Sequence, residues 1–180
     1  MTITYLFQIR RFHRRDLDAA ACAANAACRQ AYAIFGYDHP VARTRSRLME
    51  ALAEGQDFWI PEVSGVIAGV LKLRPNFIDK LFLAPQWQGL GIGSALIAKA
   101  KVLFPDHVEL HCAQQNYPAC RFYECHGFIA REHRIHTPMG LADIIYRWDG
   151  RRSERETRLS SIPRRGNLAA KASCPARHTL

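Results

Sequence analysis

Three glycines alternate through Gln88-Gly89-Leu90-Gly91-Ile92-Gly93-Ser94, between the apolar run Ile78 to Leu83 and the run Ala95 to Phe104, whose apolar residues recur at helical spacing. A strand that turns through glycines into a helix leaves several backbone N–H groups unpaired at the positive end of the helix dipole. Such a place holds anions, phosphate above all. Spacing excludes two familiar phosphate loops: Gly93 is followed by Ser94 with no lysine, and G-x-G-x-G is not the dinucleotide pattern G-x-G-x-x-G. A second constellation lies downstream in Asn116-Tyr117-Pro118-Ala119-Cys120-Arg121-Phe122-Tyr123-Glu124-Cys125-His126-Gly127-Phe128. Asn116 suits an N-cap, Pro118 the first helical turn, and Gly127 the left-handed position after the last turn. That short helix presents a phenol, Tyr123, able to give up a proton, and an amide, Asn116, able both to donate and to accept.

Gln88, Gly91 and Gly93 match Q/R-x-x-G-x-G/A, and Asn116, Ala119, Phe122, Tyr123, Gly127 and Phe128 fill every fixed position of N-x-x-A-x-x-F-Y-x-x-x-G-F. In both motifs, in their order and in the gap between them, the chain resembles the GNAT superfamily of acetyl-CoA-dependent N-acetyltransferases. The resemblance implies that Gln88 to Ser94 wrap the coenzyme's pyrophosphate. It also implies that the backbone of Leu81, Phe82 and Leu83 holds the pantetheine arm, that Asn116, Ala119 and Phe122 border the coenzyme, and that Tyr123 stands beside its sulfur.

Acetylating an amine with a thioester requires a neutral nucleophile, a donor for the carbonyl oxygen and a proton for the departing thiolate. Tyr123 is the expected acid. The expected base is Asp79: Phe77 stands eleven residues before Gln88, where several protein-acetylating relatives carry glutamate, and Asp79 is two residues on, on the same face of an unbroken strand. Glu62 and Glu109 are the alternatives. Acceptor choice in this architecture resembles a cleft bordered by the first two helices, which points to Phe35, Tyr37, Asp38 and neighbouring His39, with Trp59 nearby. An aromatic wall with one carboxylate suits a small amine. Protein or peptide acetylation, and a non-catalytic acyl-CoA sensor, are the competing readings.

The net charge of +9 is concentrated at the end of the chain: residues 151–180 hold eight Lys/Arg to two Asp/Glu, and residues 1–150 hold seventeen to fourteen. The tail, with Ser, Pro and Gly among its arginines, reads as disordered, and nucleic acid is expected only through it. Six scattered cysteines without C-x-x-C suit reduced thiols in the cytoplasm. His107/His111 and His133/His136 lack the partners of a metal site, so no metal is expected. No apolar stretch approaches the ~20 residues of a membrane span, so no membrane partner is expected, and nothing excludes a homodimer.

Periodicity supplies the elements that must position these groups. Ile3, Tyr5, Phe7 and Ile9 alternate as a strand, and Asp16 offers an N-cap to a helix ending at Gly36. A second helix is expected from Pro40 to Glu54 with Val41, Thr44, Leu48, Met49 and Leu52 inward. Strands follow at 58–63, 66–73 and 78–83, the first two joined by a Ser64-Gly65 hairpin turn. The remaining elements are a helix after the glycine loop, a strand at 107–112, the short helix, and strands at 128–135 and 144–148. The order predicts an α/β (α+β) domain over residues 1–150. Its sheet is mixed and mainly antiparallel, with a parallel unit made of the fourth strand, its crossover helix and the fifth strand.

Overall fold

The computed structural model describes residues 6–33, 36, 38, 40–135 and 142–150. In chain order these form β1 (Phe7–Arg11), α1 (Leu17–Tyr32), α2 (Val41–Ala53), β2 (Asp57–Val63), β3 (Val66–Ile67), β4 (Gly69–Arg74) and β5 (Phe77–Leu83). They continue as α3 (Ile92–Leu103), β6 (His107–Ala113), α4 (Tyr117–Cys125), β7 (Ile129–Ile135) and β8 (Ala142–Asp149). The sheet order is β1-β2-β4-β5-β6-β8-β7, with β3 added to β2. Neighbours run antiparallel except β5 and β6, which flank the crossover helix α3. Ile3, Tyr5 and the tail from residue 151 lie outside the described residues.

Strand alternation divides the core between two faces. Phe58, Ile60 and Val70 pack under Leu17, Ala20, Ala21 and Ala24 of α1 and Leu48 and Ala51 of α2. Trp59, Leu71 and Leu73 point the other way, under Leu96, Ile97 and Ala100 of α3 and beside Cys120 and Tyr123 of α4. Each large apolar side chain so buried contributes roughly 1.5–3 kcal/mol. The inward face of α2 is narrower than expected. Val41 and Met49 are exposed, because the helix meets the sheet side mainly through Leu48 and Ala51.

Asp16 stands at the N-cap position of α1, but its side chain makes no cap hydrogen bond to that helix. Its carboxylate caps the preceding 3-10 turn, accepting from His13 N–H at 2.7 Å, and takes Arg10 Nη1 and Nη2 at 2.8 and 3.0 Å. The expected 66–73 strand is interrupted at Ala68, whose N–H donates to Pro61 C=O and whose own C=O accepts from Ala84 N–H. At Gly69 a Cβ would overlap the Phe82 carbonyl oxygen, so only glycine lets β4 approach β5 there. Ser64 and Gly65 both adopt positive φ, as a tight two-residue hairpin turn requires. In β5, Lys72 pairs with Lys80 and Leu73 with Ile78, so Asp79 is the extra residue of a β-bulge.

Candidate active site

The parallel ladder between β5 and β6 pairs Phe77 with Glu109 and Ile78 with Leu110, and then stops. Beyond it the two strands diverge, leaving the ends of β5 and β6 on either side of a gap. The glycine loop closes one mouth of this gap. Gly89 and Gly91 have φ of 74° and 79°, and Gly91 is the N-cap of α3. Ala95 N–H to Gly91 C=O at 3.1 Å is the first helical bond, so the N–H groups of Ile92, Gly93 and Ser94 precede it at the positive end of the dipole. Gly93 faces the Phe122 ring so closely that a Cβ would lie 3.1 Å from its Cζ. Ile92 is buried and plugs the turn, while Leu90 stays partly exposed. The Gln88 side chain braces the loop: Nε2 donates to Leu83 C=O at 2.9 Å and to Gln30 Oε1 of α1 at 2.8 Å.

The second mouth is built by α4. Asn116 caps it, with Oδ1 accepting from Ala119 N–H at 3.3 Å, and the Asn116 side chain also bonds the Tyr32 phenol from α1. Tyr123 is 8 % exposed, ringed by Phe122, Phe128 and Tyr146 at centroid distances of 5.4, 5.9 and 6.1 Å. Burial, reinforced by the nearby Cys112 thiol, pushes its ionisation well above the ordinary phenol range. The phenol is therefore a proton donor at neutral pH and not a base. Burial likewise pushes Tyr32 up to about 12, again with Cys112 nearby. Two neutral phenols, one from α1 and one from α4, thus approach Cys112 near the end of β6 from opposite sides of the sheet.

A family model described as "Acetyltransferase (GNAT) family" matches residues 21–128, from the first turns of α1 to just past α4. The chain belongs to the GNAT family. It is 35 % identical over 78 residues to the peptidyl-lysine N-acetyltransferase YiaC of Escherichia coli, a stretch covering 43 % of this chain and 52 % of YiaC, so it spans about half the length of that curated relative. Among solved structures it is similar to a GCN5-related N-acetyltransferase from Rhodopseudomonas palustris, with TM-score 0.66, 20 % identity, and 83 % of this chain and 99 % of that one covered. It is also similar to the PaiA N-acetyltransferase of Thermoplasma acidophilum in complex with coenzyme A, with TM-score 0.65, 18 % identity, and 80 % and 99 % covered. At these identities the likeness shows the shared fold.

Within this GNAT frame the side chains of Asp79 and Trp59 face elsewhere than expected. The bulge ends the alternation that would put Asp79 beside Leu81 and Leu83. Leu81 packs with Ile78 in the core under α3, whereas Asp79 pairs with Lys72 Nζ at 2.7 Å and Arg74 Nη2 at 3.1 Å. Lys72 in turn lies over Phe58, on the opposite sheet face. Burial, the largest influence on this carboxyl, pulls its ionisation up, but Lys72, Lys80 and Arg74 together hold it below the usual carboxylate range. Trp59 is buried under α3, with Lys99 Nζ 3.9 Å and Arg11 4.8 Å from its ring centroid, and is thus on the sheet face away from α1 and α2. Asp38 is exposed and 3.6 Å from Arg29. Phe35, Tyr37 and His39 lie outside the described residues.

Two residues not singled out for the site from the sequence come to this gap. Tyr32 is the last residue of the alanine-rich α1, where no local pattern marks it as a site residue. His111 is exposed on β6, edge-on to Phe77 with centroids 5.1 Å apart. Val108, Leu110 and Cys112 point into the core under α3 and α4, so His111 faces the other side, where α1 lies. In the sequence it is one more residue inside the strand expected at 107–112, alternating with Val108, Leu110 and Cys112.

Proposed function

We propose that this chain is an acetyl-CoA-dependent N-acetyltransferase acting on the primary amine of a small molecule. The observation that carries this reading is the gap between β5 and β6, with three helix-terminal N–H groups and a positive-φ glycine turn at one mouth and the buried phenol of Tyr123 beside it. Those features fit the coenzyme: the N–H groups match a diphosphate, and the edge of Leu81 to Leu83 that β6 leaves uncovered matches an extended amide arm. Acetyl-CoA supplies an activated acetyl group as a thioester.

The protein's part is then positioning and proton transfer. Ile92, Gly93 and Ser94 anchor the diphosphate through peptide N–H groups, and Gln88 holds the loop against the end of β5. Asn116, oriented by Tyr32, offers its amide to the arm. Tyr123 donates a proton to the leaving sulfur from the α4 side. His111 receives the proton of the attacking amine from the α1 side, in place of the carboxylate expected at Asp79. Acid and base thereby approach the acetyl carbon from opposite sheet faces, and neither has to cross the gap.

A second reading, acetylation of a peptide lysine, is favoured by the likeness to the peptidyl-lysine enzyme YiaC. One assay separates the two. Purified protein is given acetyl-CoA with a panel of diamines, aromatic amines and amino sugars and with lysine-containing peptides, and free thiol is followed. Turnover confined to small amines supports the first reading, and turnover confined to peptides supports the second. Coenzyme binding without turnover on any acceptor overturns both in favour of an acyl-CoA sensor.

A further inference from the structure

His126 is the C-cap of α4 and stands against the first turn of α3. Its Nδ1 lies 2.7 Å from the Phe122 carbonyl oxygen, its Nε2 2.9 Å from Ser94 Oγ, and its ring 4.4 Å from the Phe122 ring. A carbonyl only accepts, so Nδ1 carries a hydrogen. In the neutral ring Nε2 therefore accepts, and the Ser94 hydroxyl spends its one proton on it. In the imidazolium both nitrogens donate. Ser94 Oγ then accepts from Nε2, and its proton is free for an anion held by the adjoining N–H groups.

We propose that His126 is a positioning residue for the coenzyme diphosphate, taking up a proton when the anion binds and turning the Ser94 hydroxyl toward it. This rests on the assignment of the glycine loop to the coenzyme. The uptake has two sources: the anion favours the charged ring, and the ring's second N–H releases the serine donor. Among the described residues the charged group meeting His126 from α3 is Lys101, whose Nζ donates to the His126 backbone carbonyl at 2.6 Å and lies over Phe128 and Trp148. On α4, Glu124 accepts from Tyr146, and Cys125 is exposed.

The experiment is calorimetry of dephospho-coenzyme A binding to the full chain from pH 5.5 to 8.5, in buffers of different ionisation enthalpy. This probe keeps the diphosphate but lacks the phosphate monoester, which would itself titrate near pH 6. The wild type should take up a fraction of a proton per ligand near neutrality, with affinity rising about fivefold as the pH falls, the scale of one charge-assisted hydrogen bond. His126→Gln, which keeps a donor but does not titrate, should bind with no uptake. Ser94→Ala leaves the ring and its Phe122 bond in place and should lose most of the uptake. Binding by the wild type without uptake, or uptake undiminished in either variant, overturns the role of His126 and leaves the loop assignment standing. Failure of the wild type to bind the probe at all overturns both.

Discussion

At the residue scale, the proposed division of the proton transfers between Tyr123 and His111 is separable from packing. Tyr123→Phe removes a hydroxyl and keeps the ring against Phe128 and Tyr146. Turnover should fall about 10²-fold, the usual worth of a placed acid, with acetyl-CoA affinity unchanged; turnover within twofold of wild type, with chemistry rate-limiting, would leave Tyr123 as packing alone. Asp79→Asn and His111→Gln should behave oppositely. The first breaks the contacts with Lys72 and Arg74 and should cost about 1–3 kcal/mol in urea unfolding, with kcat/KM of the folded fraction nearly intact. The second should leave stability alone and lower kcat/KM about 10²-fold. If the losses are exchanged, the base is Asp79 after all. Gly93→Val must displace the Phe122 ring, and acetyl-CoA affinity should drop more than about tenfold; unchanged affinity in a folded variant would remove the loop from coenzyme binding.

At the scale of elements, the link from β1 and β2 to the start of α1 is held by Asp16, which is 5 % exposed and takes Arg10 through both oxygens, while Arg10 also reaches Glu62 at 2.7 Å. The Arg10 hydrogen bond, its largest influence, holds the Asp16 carboxyl below its ordinary range. Asp16→Asn should therefore destabilise the fold by about 2 kcal/mol, less than a fully buried pair because Arg10 remains partly exposed. The sign of the pH dependence follows from linkage. The unfolded chain takes up the proton first, so the contribution is intact above the unfolded value near 4 and is lost as pH falls through the lower folded value. Urea midpoints of wild type and variant should converge below pH 4, and a constant gap from pH 6 to 3 would place the stabilisation elsewhere. Elements themselves were legible where signals were local: the Ser64-Gly65 hairpin, the Asn116 cap and the glycine turn into α3 all formed as read. Asp16 holds the expected N-cap position, but its carboxylate serves the turn before it, which a capping residue's sequence does not distinguish from the helix after it.

At the scale of the whole molecule, the basic segment from residue 151 follows the last strand, β8, in the chain. Deleting residues 151–180 should leave acetylation unchanged and remove salt-sensitive binding to nucleic acid if the full chain shows any; lost turnover would make the tail part of the enzyme. No helix among the described residues is long and apolar enough to cross a membrane. Element order, the parallel strand-helix-strand unit and both GNAT motifs could be read from the sequence by itself, because each is written in contiguous residues whose caps, turns and periods act over a few positions. The facing of Asp79 and the arrival of Tyr32 and His111 at the gap were decided by the tertiary structure. A bulge is set by the pairing of β5 with β4, and the gap by where β5 and β6 stop pairing, so both depend on partners distant in sequence. Counting alternate residues tells which side chains share a face only while a strand stays unbroken, and in this protein the break falls at Asp79 itself.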